Sequence, residues 1–273
     1  MLLVLLTAYF LVISAAEPWL LRGQPLQLSS LLALLLALVP ALFWLGLVAV
    51  AAAHKLKAAL GGLILGAFVA APSASFAVDL ASDDSRTAVF APLALEQWVV
   101  AFALFGVAQE TCKYIIARYT FRHWEWSEVG DGLLYASSIG LGFAVDQTHQ
   151  ELLVSEGSIY LSAAAELSVR TAIAHVSSAA AIGVALSWAT SSDRVRSLAL
   201  LQGLLAAVLV NGCLHVLGSA FGDARLVITI ALGLLVIAAS SLMTAGRKLS
   251  TARPSRNLSV LAAALLLLCL LYT

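Results

Sequence analysis

The sequence predicts an all-α fold: a polytopic transmembrane helix bundle of about nine spans, with a range of 8–9. Two observations predict it. The apolar runs are continuous and about 20 residues long, the length a helix needs to cross hydrocarbon, whereas the strands of a barrel would alternate. The composition is 62% hydrophobic and only 11% charged, with a mean hydropathy of +0.98, where a soluble domain carries about 25% charged residues. Hydrocarbon offers the backbone no water to bond with, so each span must satisfy its own peptide groups as a helix.

The first run, 2–21, begins "MLLVLLTAYFLVISAAEPW" with no basic residue ahead of it, and so reads as a retained span and not as a signal peptide. Runs at 28–52 and 58–78 follow, the latter weakened by Pro72. The acidic, small-residue stretch "DLASDDSRTA" separates them from a run at 93–117. Runs at 129–153, 160–189 and 198–220 carry polar residues, and those at 226–245 and 257–272 are nearly clean. The chain thus divides into 1–92 (three helices and an acidic outer loop), 93–221 (four helices with the polar residues) and 222–273 (two helices). There is no internal repeat.

Lys and Arg set the orientation. With the N-terminus in the cytoplasm, the inner loops hold Lys55, Lys57, Arg118, Arg122, Arg194, Arg196, Arg247, Lys248, Arg253 and Arg256, and the outer loops only Arg22, Arg86 and Arg225. This places the N-terminus inside and the C-terminus outside. The basic loop "RKLSTARPSRN" reads as a topology determinant that also meets anionic lipid. A net charge of zero gives no sign of a nucleic-acid partner. Cys112, Cys213 and Cys269 are odd in number, match no metal spacing and read as small core hydrophobes.

The informative residues are polar ones inside the apolar runs. "GVAQETCKYI" puts Glu110 and Lys113 in the fourth run, where a charge costs roughly 2.5–3.5 kcal/mol on insertion scales. Three residues apart, they share a helix face and can pair; Gln109 neighbours Lys113 as well. In the fifth run Asp131, Tyr135, Ser138, Gly142 and His149 form one stripe at helical spacing. Asp131 also suits a helix start, and Asp146, Gln147, Thr148 and His149 lie toward the outer end. The sixth run carries Arg170, Thr171 and His175, then Ser177 and Ser178; the seventh carries Asn211 and His215, one turn apart. Intramembrane ionisable groups usually face a bundle interior or a wet cavity. Such a set can activate water, with a carboxylate taking the proton and an imidazole, amide or cation stabilising the oxyanion. Alternatively Glu110, His175 and His215 can hold one divalent metal ion such as Zn with water in the open position, although no His-Glu-x-x-His pair is present.

In order, Gln109-Glu110-x-x-Lys113, then Asp131-Gly132-x-x-Tyr135 with Gly140 to Ala144, then Arg170 and His175, then Asn211 and His215 resemble the motifs of the PrsW family of intramembrane proteases, distant relatives of the CAAX prenyl proteases. The resemblance covers about residues 106–219. Two positions depart from it: Gln109 stands where the family has the first glutamate of E-E-x-x-K, and Gln147 and Thr148 stand where it has Glu-Asn. Glutamine keeps the shape and hydrogen bonding but cannot act as a base.

The resemblance implies a multi-pass protein of a prokaryotic cytoplasmic membrane that cleaves a single-span or membrane-anchored protein, such as an anti-sigma factor or a processed peptide. On that reading Glu110 activates water, and His175 and His215 assist or bind metal. Lys113, Asp131 and Arg170 position and neutralise, Asn211 donates to the oxyanion or orients His215, and Gln109 and Gln147 complete the site. Two alternatives stay open at this point: a pseudoprotease that binds membrane helices without cutting them, and a transporter using the same polar cavity.

Overall fold

The computed structural model describes residues 2–20, 26–27, 29–51, 53–81, 106–121, 131–154, 158–189, 193–220 and 225–249. Among the described residues the elements are helical apart from one two-residue ladder. They are α1 (Leu2–Leu20), α2 (Ser30–Ala51), α3 (Leu56–Leu65), α4 (Ala71–Ala81), α5 (Gln109–Phe121), α6 (Asp131–Val154), α7 (Leu161–Ala189), α8 (Asp193–Ala220) and α9 (Arg225–Leu249). The all-helical expectation holds. Among the described residues three helical stretches are long and apolar enough to cross a membrane by length and composition: Ser30–Val50, Leu56–Ala77 and Leu161–Trp188. Of the expected spans, 93–117 is described only from residue 106, and 257–272 lies outside the described residues.

The third expected span is one rod with a defect. Between α3 and α4 the chain makes a π-helical turn, Gly66–Ala70, closed by the Ala71 amide donating to the Gly66 carbonyl. Pro72 follows directly. Its ring cannot fit against the carbonyl four residues back, and a widened turn over that stretch relieves the clash without ending the helix. A second π-helical stretch, at 106–108, leads into α5.

Helix α6 is the centre of the bundle. Its buried residues, from Asp131 and Gly132 through Tyr135, Ile139, Phe143 and Leu152, lie on all sides of it, as befits a helix with neighbours all round. Glycines permit the closest approaches. A Cβ at Gly142 would stand 1.9 Å from the Leu63 carbonyl oxygen of α3, and one at Gly66 would stand 2.1 Å from that of Ile139. On the other flank a Cβ at Gly140 would meet the His175 carbonyl oxygen of α7 at 2.5 Å. With no apolar solvent difference to drive association in lipid, such backbone-to-backbone packing is what holds helices together.

Two sets of contacts mark the ends of the bundle. At one end Lys55, just before α3, ion-pairs with Asp131 at the start of α6, and Tyr135 donates to Thr120 Oγ1 near the end of α5 at 2.7 Å. At the other end Leu26–Gln27 pairs antiparallel with Ser158–Ile159, and Ser30 Oγ bonds His149 Nε2 at 3.2 Å. One cysteine expectation is corrected: Cys213 is disulfide-bonded, while Cys112 is a free thiol. The fold brings a second sulfur to Cys213, which sequence spacing alone does not reveal.

Candidate functional site

Helices α5, α6, α7 and α8 each supply polar side chains to one buried cluster. Glu110 (0% exposed) and Lys113 (1%) lie one helical turn apart at the start of α5, and Lys113 donates to Glu110 Oε1. From α7, His175 (2% exposed) places Nδ1 3.0 Å from Lys113 Nζ. Ser178, three residues on, accepts from the same ammonium at 3.2 Å. From α6, Gln147 Oε1 lies 2.6 Å from His175 Nε2. From α8, Asn211 donates to Gln109 Oε1 at 2.9 Å.

The Lys113 ammonium is therefore enclosed by a carboxylate, an imidazole and a hydroxyl. The Phe143 ring adds a fourth side, its centroid 4.9 Å from Nζ, close enough for a cation–π attraction. The same ring packs against His175 with centroids 4.7 Å apart. Breaking a buried pair of this kind strands a charge and costs about 3–5 kcal/mol; kept whole, it is tolerated in an apolar surround.

One oxygen stands apart. Glu110 Oε2 is buried and makes no hydrogen bond among the described residues, while Ser178 and Asn211 flank the carboxylate. A buried acceptor left open in a polar surround is a place for a water or substrate proton.

The other expected residues fall elsewhere. The stripe on α6 does not face this cluster. Asp131 is taken by Lys55, Ser138 accepts from Trp44 Nε1 of α2 at 2.9 Å, Gly142 abuts α3, and His149 bonds Ser30. Asp131 stands twelve residues before Phe143, about 18 Å along the axis, so it serves the end of the bundle and not the cluster. Arg170 lies five residues before His175 on α7, about 140° round that helix from it. His215 is one turn after Asn211 on α8; its side chain lies outside the described residues. The sequence reading passes over Glu151, and it notes Ser178 and Phe143 only as a polar residue after His175 and as part of the Gly140 to Ala144 motif, with no role. Phe143, Gln147 and Glu151 follow at four-residue spacing, and that spacing beside Gln147 was the available signal.

Among the described residues no three His, Cys, Asp or Glu side chains converge on one point, and both ring nitrogens of His175 are engaged. The described side chains alone do not make a metal donor set.

A family model described as PrsW family intramembrane metalloprotease matches residues 54–245, well over half of the chain. The chain belongs to the PrsW family. The match runs from just before α3 into α9, wider than the motif region 106–219, and it contains every residue of the cluster. No curated protein and no solved structure matches the chain. PrsW membership together with the apolar helices makes this an integral membrane protein, and it supports a peptidase function. Within the PrsW cluster the two glutamines are not idle: Gln109 holds Asn211, and Gln147 holds His175.

Proposed function

We propose that the protein is an intramembrane endopeptidase that cuts a single-span or membrane-anchored protein, with Glu110 as the base that activates water. The observation that carries this reading is the asymmetry of the Glu110 carboxylate: Lys113 holds Oε1, and Oε2 is open among the described residues. A water on Oε2 gives up a proton to it as its oxygen bonds to the scissile carbonyl carbon. The carbonyl oxygen gains the charge, which the Lys113 ammonium beside Glu110 offsets electrostatically. Collapse of that adduct breaks the C–N bond, and the proton on Glu110 passes to the leaving amine. His175 and Ser178 keep the Lys113 ammonium directed at Glu110. His215, on the Asn211 side of α8, is the assisting group expected from the family motif.

Around this core we place about nine spans in the lipid bilayer, N-terminus in the cytoplasm and C-terminus outside. The pairing of Leu26–Gln27 with Ser158–Ile159 fits the alternation of the spans, which puts both segments on one side, and the Lys and Arg distribution makes that the outer side. A pseudoprotease reading keeps one observation in its favour: amides occupy the two positions where the family resemblance has carboxylates.

The test is reconstitution of the pure protein with a single-span substrate. The peptidase reading expects cleavage in or beside the span, lost in Glu110→Ala and in His175→Ala. Binding without cleavage by the wild type contradicts it and favours the pseudoprotease; solute flux without cleavage favours a transporter. Loss of cleavage to a strong chelator, restored by zinc, would show that a metal centre completed by His215 does the work instead.

A further inference from the structure

A continuous hydrogen-bonded line joins the buried carboxylate to the surface. It runs from Glu110 through Lys113 to His175 Nδ1, from His175 Nε2 to Gln147 Oε1, and from Gln147 Nε2 to Glu151 Oε1 at 2.8 Å. Glu151 is exposed, one turn beyond Gln147 on α6. We infer that Glu151 is a positioning residue for His175: acting through Gln147, and together with Lys113 at the other nitrogen, it fixes which imidazole nitrogen carries the proton.

The argument is one of polarity. A lysine ammonium only donates, and an ionised carboxylate only accepts. Glu151 therefore compels Gln147 to turn its NH2 group outward and its carbonyl oxygen inward. That oxygen can only accept, so His175 must donate from Nε2. Nδ1 is then the bare nitrogen, the one state that accepts from Lys113. Both ends of the line enforce the same tautomer. A neutral amide in the middle has no direction of its own, since its two ends are nearly the same shape. A glutamate at position 147 would accept from His175 without help. With Gln147 there, the acceptor that sets the direction sits four residues further out, at Glu151.

The consequence for catalysis rests on the peptidase reading; the tautomer does not. The experiment is 15N NMR of histidine-labelled full-length protein in lipid nanodiscs, with the His175 signals assigned by their loss in His175→Asn. The wild type should show protonated Nε2 and bare Nδ1. Glu151→Ala, which leaves Lys113 alone favouring that state, should admit an Nδ1-protonated population beside it, and Glu151→Asp, whose carboxylate still only accepts, should reduce that population. In a Gln147→Glu background Glu151→Ala should leave the tautomer unmoved. An unchanged unfolding midpoint reports that each variant is folded. Cleavage, where the wild type cleaves, should fall about 10–100-fold in Glu151→Ala and recover in Glu151→Asp. A wild-type His175 without the Nε2-protonated form, or one unchanged by Glu151→Ala, overturns the inference. The tautomer response without wild-type cleavage supports the inference and counts against the peptidase reading alone.

Discussion

Lys113 is the residue on which the cluster turns, because Glu110, His175, Ser178 and the Phe143 ring all address its ammonium. Lys113→Met should destabilise the protein by about 3–5 kcal/mol, since it leaves Glu110 buried without its counter-charge. Lys113→Met with Glu110→Gln should recover much of that loss, because two neutral side chains remain. Thermal unfolding in detergent checks both, and equal loss in the single and double variants would deny the pairing. Asp131 belongs to a different pair, with Lys55. Asp131→Asn, which leaves the largely buried Lys55 without its counter-charge, should lower the unfolding midpoint at a cost of about 1–3 kcal/mol of stability and should slow cleavage far less than Glu110→Gln does. The polar residues themselves were conspicuous in the sequence, because a charge inside an apolar run has few reasons to be there. The contacts of Phe143 and Ser178 with Lys113 were not, since neither residue type is unusual in a membrane helix.

At the scale of the element, α6 explains what could not be read. It is buried on nearly all sides, so its hydrophobic pattern does not single out one face. The stripe through Asp131, Tyr135, Ser138, Gly142 and His149 is real as a helical face, yet it packs on α2, α3 and α5. The neighbouring face, with Phe143, Gln147 and Glu151, meets the cluster and differs from it only by rotation about the axis. The π-helical turn at Gly66–Ala70 was equally hidden, since Pro72 signals a break but not the widened turn that avoids one. The glycine contacts make a sharp comparison. Gly142→Leu should cost about 1–3 kcal/mol or more, because its side chain would enter the α3 backbone. Gly46→Ala on α2, where a Cβ meets nothing within 4 Å, should be neutral or stabilising by up to about 1 kcal/mol. Unfolding midpoints of the two variants decide it, and equal effects would contradict the packing of α3 on α6.

For the whole molecule, hydrophobic composition made the helical class legible, and run lengths placed most helices within a few residues of where they lie. The ends of the bundle follow from contacts that link distant segments: Lys55 with Asp131, and Ser30 with His149. Cysteines introduced singly as Lys57→Cys and Gln150→Cys, both exposed positions, should react with a membrane-impermeant maleimide from opposite sides of the membrane, the former only when the cytoplasmic face is accessible. Labelling of both from one side would contradict the arrangement. The central claim is that a carboxylate sunk among α5, α7 and α8 removes the proton from water. Its most direct measurement is the single-turnover rate of cleavage of a bound single-span substrate by Glu110→Gln, an isosteric change, taken below the variant's own unfolding midpoint. The account predicts a rate at least about 100-fold below wild type with substrate affinity unchanged; a variant that cuts as fast as the wild type would contradict it.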